Sequence, residues 1–411
     1  MITVDMLFDS GRDMAYTIEG KYANALITTN NIEEQALAQV IDLINNEASL
    51  GSKIAIMPDV HAGKGSVIGT TMTIVDRVVP NLVGVDLGCG VLAVRIDKGE
   101  LNFERLQTVI ENFVPSGFGV HKYEDNLDFI FKDLKMPLNE KSKSHIAKSL
   151  GTLGGGNHFI SVESDGVDNY LCIHTGSRNL GSQVAKFYQE LAISQMESQD
   201  FSSVIAELKA KGETHKIAAT LAELKKNKKQ INKELAYLTG SAMEDYLWDA
   251  SLAQTFAWEN RTKIARVIFE NMDWEWKGRV HSVHNYVSVQ DKVLRKGAVA
   301  APIGELFVVP LNMKDGTLIC RGRENAEWNQ SAPHGAGRAM SRRAAKDNLS
   351  LETFKEEMKG IWSASVGQST LDEAPGAYKP SEEIKSILSE KYEIVTHLKT
   401  LYNFKASDET E

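Results

Sequence analysis

The sequence predicts an α+β fold, on the strength of two observations. Short β-rich runs broken by glycine fill three blocks of the chain, at about residues 53–95, 158–174 and 279–323. Helical patterns separate these blocks without the regular strand–helix alternation of a doubly wound sheet. We therefore expect mixed or antiparallel sheets that form a β-rich core flanked by helices.

The first block of elements begins with a helix over residues 31–46, capped by Asn30 or Asn31, with two glutamates in its first turn. The runs KIAIM, VIGTTMTIV, LVGV and VLAVRI predict strands, and the loop PDVHAGKGS separates the first two. A helix near residues 102–113 follows, and then a polar, irregular stretch to about Ser149.

The second half of the chain alternates between strands and helices in longer stretches. HFISVES and YLCIH predict strands, and a helical region runs from about Ser182 to Met272. RVHSVHNYVSV, GAVAA and ELFVVP predict the strands of the third block. Ser381 is predicted to cap a terminal helical region.

The composition is that of an ordinary globular protein. The 411 residues are 42% hydrophobic and 25% charged. At about 150 residues per domain the length allows two or three domains. No Pro/Ser-rich linker divides the chain, so we expect one domain over residues 1–411 with a helical insertion at residues 200–240.

That insertion is predicted from the segment HKIAATLAELKKNKKQINKELAYL, which repeats apolar residues at three- and four-residue spacing. The spacing suits an amphipathic helix or helical hairpin that projects from the domain. Two roles remain open for it: a solvated surface hairpin, or an arm that docks RNA or a protein partner.

Several classes of protein are disfavoured. No run of about 18 uncharged apolar residues is long enough to span a membrane. The N-terminus is typical of neither a signal peptide nor a transit peptide, so we expect a cytoplasmic protein. Three scattered cysteines are too few for a disulfide framework. The net charge of −9 argues against indiscriminate nucleic-acid binding but allows a local basic groove.

The most informative motif is VGVDLGCG, which places Asp86 and Cys89 three residues apart in a glycine-rich turn. A carboxylate and a thiolate form a mixed ligand pair that suits zinc or another transition metal. Three histidines in similar contexts could join them: His158 in GGGNHF, His174 in CIHTGSR and His284 in VHNYV. Since a thiolate can bridge two cations, the five ligands could hold two metals that share Cys89. The alternative is a buried structural cysteine beside an exposed aspartate.

A second motif, SAPHGAGRAMSRR, predicts a phosphate site with a histidine at its mouth. Glycines around Ala336 allow close backbone approach, and Arg338 offers forked donors to a phosphate. His334 could be a base, a metal ligand or a nucleophile, or only a capping or exposed histidine.

Two shorter motifs predict further anion sites. HTGSRNLG supplies Arg178 beside His174, and HAGKGS supplies Lys64 in a shortened phosphate loop that lacks the full P-loop pattern. A dinuclear centre ringed by phosphate sites indicates phosphoryl transfer on a polyanion.

Taken together, the motifs resemble those of the RtcB family of RNA-splicing and RNA-repair ligases. MPDVHAGKGSVIGTT, VGVDLGCG, GTLGGGNHF, HTGSRNLG, HNYV, RKGAVAA, HGAGRAMSR and PGAYK occur in family order from Ile54 to the C-terminus. The resemblance implies an RtcB-like fold with a deep metal-binding cleft. It also implies a ligase that depends on GTP and two Mn²⁺ ions and joins RNA 2′,3′-cyclic phosphate or 3′-phosphate ends to 5′-hydroxyl ends.

The resemblance also assigns residues to roles. One Mn²⁺ would be held by Asp86, Cys89 and His158, and the second by Cys89, His174 and His284. His334 would be the nucleophile that takes GMP from GTP. The nucleotide contacts it implies are Asn157, His158, Phe159, Ser161, His284, Asn285, Pro310, Leu311, Asn312, Met313, Lys314, Thr317, His334, Gly335, Ala336, Gly337 and Lys405. The RNA phosphate contacts it implies are Arg178, Lys64 and Arg338.

Two departures from the family pattern concern the base. The family usually has Glu three residues after the GNH histidine, where it reads the guanine edge, whereas this chain has Ser161. Glu163 shares that face of the strand and could take its place. The nucleotide loop usually reads PGSMG but here reads PLNMK, residues 310–314. The preference for guanine therefore stays open at this level.

Two other functions compete with ligation. A metal-dependent phosphodiesterase of RNA cyclic phosphate ends would need no nucleotide triphosphate. An RNA-binding scaffold without catalysis would use the Lys-rich insertion as its docking surface. The RNA substrate cannot be named from the sequence; we expect a monomer and leave a protein activator open.

Overall fold

The computed structural model of the protein describes residues 4–6, 15–197, 202–220 and 231–406. The strands are, in chain order, β1 (Val4–Met6), β2 (Tyr16–Glu19), β3 (Asn24–Ile27), β4 (Ile54–His61), β5 (Ile68–Thr73), β6 (Arg77–Val78), β7 (Gly90–Lys98), β8 (Phe159–Ser164), β9 (Asn169–Thr175), β10 (Leu238–Thr239), β11 (Glu275–Val283), β12 (Asn285–Ser288), β13 (Val293–Lys296), β14 (Ala298–Ala300), β15 (Leu306–Asn312), β16 (Gly316–Arg321), β17 (Ser331–Pro333) and β18 (Glu393–Lys405).

The helices lie mainly between and beside these strands. They are α1 (Glu34–Ile44), α2 (Pro80–Val83), α3 (Phe103–Phe113), α4 (Asp128–Phe131), α5 (Glu140–Ser149), α6 (Arg178–Glu197), α7 (Ser202–Ala210), α8 (Gly240–Met272), α9 (Arg342–Asn348), α10 (Leu351–Glu357) and α11 (Ser381–Lys391). None of the helices in the described ranges is long and apolar enough to cross a membrane.

Two seven-stranded sheets organise the described residues and confirm the α+β prediction. The first has the order β1-β2-β3-β4-β5-β13-β12, with a parallel pairing between β3 and β4. The second has the order β11-β7-β9-β8-β18-β16-β15 and is antiparallel throughout. It curls until its edge strands approach each other, and the Val308 backbone nitrogen on β15 donates to Ser282 Oγ on β11 at 2.8 Å.

Alternation along β7 shows how the second sheet divides the core. Leu92 and Val94 face α3 and α8, while Val91 and Ala93 face the concave side together with Cys172. The 33-residue helix α8 is about 50 Å long and packs against both sheets. It therefore fixes the two sheets relative to each other behind the site described below.

Some predicted boundaries in the first half of the chain were wrong. LVGV is not a strand, because Pro80 occupies the first turn of α2. Strand β4 continues to His61, into the sequence predicted as a loop. Helix α1 starts at Glu34 with Glu33 as its N-cap, not Asn30 or Asn31. The stretch predicted as irregular contains α4 and α5.

The C-terminal prediction was also wrong in two respects. Pro380 is the N-cap of α11, and Ser381 is its first residue. The chain then forms β18, a 13-residue strand at the centre of the second sheet, where we expected more helix. The helix predicted near residues 102–113 and the strands HFISVES, YLCIH and VLAVRI are confirmed.

The predicted insertion lies only partly within the described residues. Residues 202–210 form α7, and residues 233–235 form a short 3₁₀ turn. Residues 221–230 lie outside the described ranges, so the helical hairpin and the single-domain prediction over residues 1–411 stay predictions.

Candidate functional site

The five predicted ligands meet because they lie at one end of four neighbouring strands. In the second sheet Gly90 of β7 pairs with Thr175 of β9 and with Val283 of β11. Cys89 precedes Gly90, His174 precedes Thr175 and His284 follows Val283, so these three side chains reach the same place. His158 precedes β8, whose first residue pairs with His174. Strand register alone therefore brings together residues up to 195 positions apart.

The ligand atoms form two overlapping triads. Cys89 Sγ lies 3.2 Å from His174 Nε2, which lies 3.2 Å from His284 Nε2. Cys89 Sγ also lies 3.5 Å from His158 Nε2, which lies 3.1 Å from Asp86 Oδ2. The atoms of each triad are all within 4.8 Å of one another, and Cys89 belongs to both.

Two glycines make this approach possible. Gly88, at φ +74°, adopts the left-handed conformation that turns the chain between Asp86 and Cys89. Gly176 has no side chain where one would collide with the Asp86 carboxylate. The glycine-rich contexts noted in the sequence therefore serve to pack the ligands closely.

The electrostatics favour uncharged nitrogen donors. Burial lowers the pKa of His174 and of His284 well below the usual value, so both imidazoles are neutral near pH 7. His158 Nδ1 donates to the Leu153 carbonyl at 2.9 Å, which leaves its Nε2 lone pair directed at the cluster.

The two acidic members behave differently. Burial, aided by the Asp86 carboxylate, raises the pKa of the Cys89 thiol well above its usual value. Burial alone would also raise the pKa of Asp86, but the neighbouring His158 outweighs it and holds that pKa well below normal. A bound cation would favour the thiolate, because metal binding displaces the thiol proton.

This donor set fits divalent transition ions. Neutral imidazoles, a thiol and a carboxylate converge from separate strands, and a thiolate shared by both triads can bridge two cations. The fully buried Arg261 on α8 braces two of the ligand segments, since its guanidinium donates to the carbonyls of Gly88 and Thr175.

His334 lies beside this cluster, immediately after β17. Its ring centre is 5.0 Å from that of His284. Asp59 on β4 accepts hydrogen bonds through Oδ2 from the His334 backbone nitrogen, at 3.1 Å, and from Nδ1, at 2.7 Å. Asp59 is fully buried, so the imidazole is held in one orientation.

The segment that carries Asp59 is itself fastened by a lysine. Lys379 Nζ donates to the carbonyls of Pro58 and Val60, on either side of Asp59, at 3.3 and 3.2 Å. It also donates to Asn31 at 3.3 Å. His61 follows on the same strand, and burial lowers its pKa to about 4.

A cavity of about 700 Å³ opens from His334 and His174 across the concave face of the second sheet. This volume is typical of small-molecule sites. Of the residues predicted to contact nucleotide or RNA, those that line it are Asn157, Phe159, Pro310, Leu311, Asn312, Met313, Thr317, His334, Gly335, Ala336, Gly337, Arg338 and Lys405.

The other predicted contacts are not among the cavity-lining residues. Ser161 is fully buried, with its Oγ 2.6 Å from Glu163 Oε1. Asn285 uses its Oδ1 to accept from the Gly297 backbone nitrogen at 2.9 Å. Lys314 is exposed on the turn between β15 and β16. His158 and His284 belong to the ligand cluster.

The three predicted phosphate contacts differ in their surroundings. Arg178, at a left-handed φ of 50°, places Nη1 3.3 Å from His158 Nδ1. Lys64 lies on the loop after β4, and its carbonyl accepts from Lys296 Nζ. Arg338 is already engaged, because Nη1 lies 3.1 Å from Glu373 Oε1 and Nη2 lies 2.6 Å from the Asp372 carbonyl.

Glu373 organises the wall of the cavity around Lys405. Its Oε2 lies 2.6 Å from Lys405 Nζ, and Tyr378 donates to the same oxygen at 2.5 Å. Burial alone would raise the pKa of Glu373, but Lys405, Arg338 and Arg342 lower it to about 2. The buried lysine is thus held in place by an ionised carboxylate.

Sequence reasoning missed Asp59, Lys379, Glu373 and Arg261. Only Asp59 gave a local signal, as a charged residue in the otherwise apolar run of β4. The other cysteines lie away from the cluster as expected: Cys172 and Cys320 are buried in hydrophobic cores. His281 faces Trp258, with ring centres 4.6 Å apart.

Comparisons with known proteins agree with this site. A family model described as tRNA-splicing ligase RtcB matches residues 43–143 and 131–406. The RNA-splicing ligase RtcB of Escherichia coli (strain K12) is 30% identical to this chain, over 84% of the chain and 88% of the relative. The tRNA-splicing ligases RtcB of Thermococcus kodakarensis and Archaeoglobus fulgidus are 25% and 28% identical, over 82% and 81% of the chain and 83% of each relative. The chain belongs to the RtcB family of tRNA-splicing ligases.

Proposed function

We propose that this protein is an RNA ligase that joins 2′,3′-cyclic phosphate or 3′-phosphate ends to 5′-hydroxyl ends, using GTP and two Mn²⁺ ions. Family membership supports the ligase class. The observation that carries the mechanism is the position of His334, which is oriented by Asp59 and lies beside the five-residue ligand cluster and the cavity.

The role proposed for His334 follows from its tautomer. Because Nδ1 donates to the Asp59 carboxylate, the proton of the neutral ring resides there and Nε2 keeps its lone pair. Nε2 attacks the α-phosphorus of GTP, the bond to the β-phosphate oxygen breaks, and pyrophosphate leaves. Asp59 stabilises the positive charge that develops on the ring, as in other carboxylate–histidine pairs.

The joining steps use the same bound GMP. The cyclic phosphate is first opened by water to a 3′-phosphate, which then attacks the histidine-bound phosphorus and takes over the GMP. The 5′-hydroxyl attacks the activated 3′-phosphorus, forms the phosphodiester and releases GMP. Arg178, Lys64 and Arg338 are proposed to hold the RNA phosphates, as the resemblance implies.

The cluster is proposed to hold the two ions through the two triads that share Cys89. When bound, such ions withdraw negative charge from phosphate oxygens and so lower the barrier to attack. The donor set suits divalent transition ions in general, and manganese is proposed from the family resemblance. The cavity residues Asn157 and Lys405 are proposed to contact the nucleotide.

The test is a covalent-adduct assay. The Mn²⁺-supplemented protein is incubated with GTP labelled at the α-phosphate, and an acid-labile labelled protein is expected. The adduct should be absent from His334→Ala and present in His145→Ala, a matched change at an exposed histidine on α5. Joining of RNA ends should follow the same pattern.

Other outcomes identify the competing functions. Hydrolysis of cyclic phosphate ends without a nucleotide, at an equal rate in His334→Ala, would indicate a phosphodiesterase. RNA binding that is unchanged in Cys89→Ala, with no adduct from any of the four triphosphates, would indicate a scaffold. An adduct with ATP and not GTP would keep the mechanism and change the base.

A further inference from the structure

The floor of the cavity carries three buried oxygens that lack a hydrogen-bond partner. They are Glu163 Oε2, Thr317 Oγ1 and Asn403 Oδ1, and the three side chains line the same cavity as His334. Their residues are only 2%, 0% and 3% exposed. Buried polar atoms without a partner are uncommon and costly, so atoms of this kind facing a cavity indicate a ligand that supplies the missing bonds.

The register of the second sheet explains why these atoms share one face. On β8, Phe159, Ser161 and Glu163 point to the same side. Asn403 of β18 pairs with Ser161, and β16, which carries Thr317, pairs with the other side of β18. Glu163 lies about 13 Å farther along β8 than Phe159, at the end of the face away from His174.

Ser161 leaves this end of the cavity open and aims the carboxylate. Its hydroxyl donates to Glu163 Oε1 at 2.6 Å, and its own side chain does not line the cavity. Oε2 is thus the carboxylate oxygen that faces the cavity without a partner. The first carboxylate that a ligand can reach on this face therefore belongs to Glu163.

The chemistry of the floor restricts the ligand. Carboxylate and amide oxygens only accept hydrogen bonds, and a hydroxyl can do either, so the floor is rich in acceptors. It suits a planar group whose edge carries adjacent N–H donors. Guanine offers N1–H and N2–H₂ side by side, hypoxanthine offers N1–H alone, and adenine places the N1 acceptor next to its N6–H₂ donor.

We propose that Glu163, with Asn403 and Thr317, is the base-reading end of the nucleotide site and selects guanine. This inference rests on the proposed function, because His334 and the ligand cluster place the phosphates at the other end of the cavity. Glu163 takes both guanine donors, and Ser161 acts as the residue that positions its carboxylate.

The test measures equilibrium binding of GMP, IMP and AMP by calorimetry to the Mn²⁺-supplemented full-length protein. The wild type should bind GMP more tightly than IMP, and IMP more tightly than AMP. Glu163→Gln should weaken GMP binding by roughly 10- to 100-fold and leave AMP binding unchanged, because it removes a charged acceptor. Glu305→Gln, at an exposed site before β15, is the matched control and should bind like the wild type.

Mononucleotide binding needs no transfer to His334, so the two proposals can fail separately. Selective GMP binding without any adduct from GTP would overturn the proposed ligation and keep this inference. Equal binding of GMP and AMP to the wild type would overturn the inference, and so would GMP binding unchanged in Glu163→Gln. Should that variant not fold, Asn403→Ala provides the same test, with roughly tenfold weaker GMP binding expected and unchanged binding overturning the proposal.

Discussion

Asp59 Oδ2 contacts His334 twice, at the ring Nδ1 and at the backbone nitrogen, across 275 residues of sequence. The double contact fixes both the position and the tautomer of the imidazole. Its other carboxylate oxygen, Oδ1, has no partner among the described residues. The pair therefore sets which ring nitrogen can react.

Asp59→Asn should preserve the shape of the site and disable the nucleophile. An amide nitrogen facing Nδ1 donates to it, so the ring proton moves to Nε2 and the lone pair needed for attack is lost. We expect adduct formation at saturating GTP to slow by roughly 100-fold or more, with GMP binding unchanged. Rapid-quench measurement of the labelled adduct checks this, and Asp42→Asn on the exposed face of α1 is the control. A normal rate in Asp59→Asn would contradict the orientation argument.

Cys89 and Cys172 offer a matched pair for the metal centre. Both are buried, but Cys89 belongs to both triads, whereas Cys172 packs in the hydrophobic core of the concave face. Cys89→Ala should lose both manganese ions, because each triad is reduced to two protein ligands. Cys172→Ala should keep both ions and only lose some stability. Elemental analysis after dialysis decides, and full manganese content in Cys89→Ala would refute the shared ligand.

The ligand cluster was predictable because each of its members lies beside glycine, asparagine or serine at the end of an apolar run. Such runs predict strands, and neighbouring antiparallel strands bring their ends together. The pairing of Gly90 with both Thr175 and Val283 is the physical form of that expectation. His334 was also recognised, from the glycines and arginines that follow it.

The supporting residues were not predictable from local patterns. Lys379 fastens the Asp59 segment from more than 300 residues away, and Glu373 meets Lys405 across 32 residues and two different elements. Strand β18 was missed because its apolar residues follow directly on a helix, and its central place in the sheet depends on partners in β8 and β16. Tertiary pairing decides such cases, and a single sequence does not display it.

Glu373 should be important for stability, and its effect should depend on pH. Its depressed pKa, about 2, means that the ionised form is stabilised in the folded protein. This stability is fully present above the ordinary glutamate pKa of 4.5 and is lost as the pH falls toward 2. Glu373→Gln should cost roughly 3–5 kcal/mol at neutral pH, because Lys405 and Arg338 lose a buried partner.

Urea denaturation at about pH 7 and about pH 3.5 checks this prediction. The difference in unfolding free energy between wild type and Glu373→Gln should shrink at the lower pH. Glu305→Gln, the exposed control, should match the wild type at both. A difference that does not change with pH would show that the carboxylate charge is not the stabilising feature.

Glu163 should have the opposite dependence in the nucleotide-free protein. Burial raises its pKa from 4.5 to about 7, in spite of hydrogen bonds that favour the ionised form. The groups that face it are the Ser161 hydroxyl on its own strand, the Cys172 thiol on β9 and Thr317 on β16, and none of them is a cation. Lys405, on β18, is paired with Glu373. The folded state therefore holds the Glu163 proton more tightly than the unfolded chain does.

Its contribution to stability should consequently fall as the pH rises from about 4.5 to about 7, where the unfolded chain has already released this proton. Glu163→Gln removes the titration, so its stability relative to wild type should increase through that window, by an amount on the order of 3 kcal/mol above it. Urea denaturation of both proteins at pH values on either side of the window measures the change. GMP should partly cancel the difference by stabilising the wild type more than the variant, because its N–H donors favour the ionised carboxylate. A constant difference across the window would mean that the carboxylate is already ionised without a ligand.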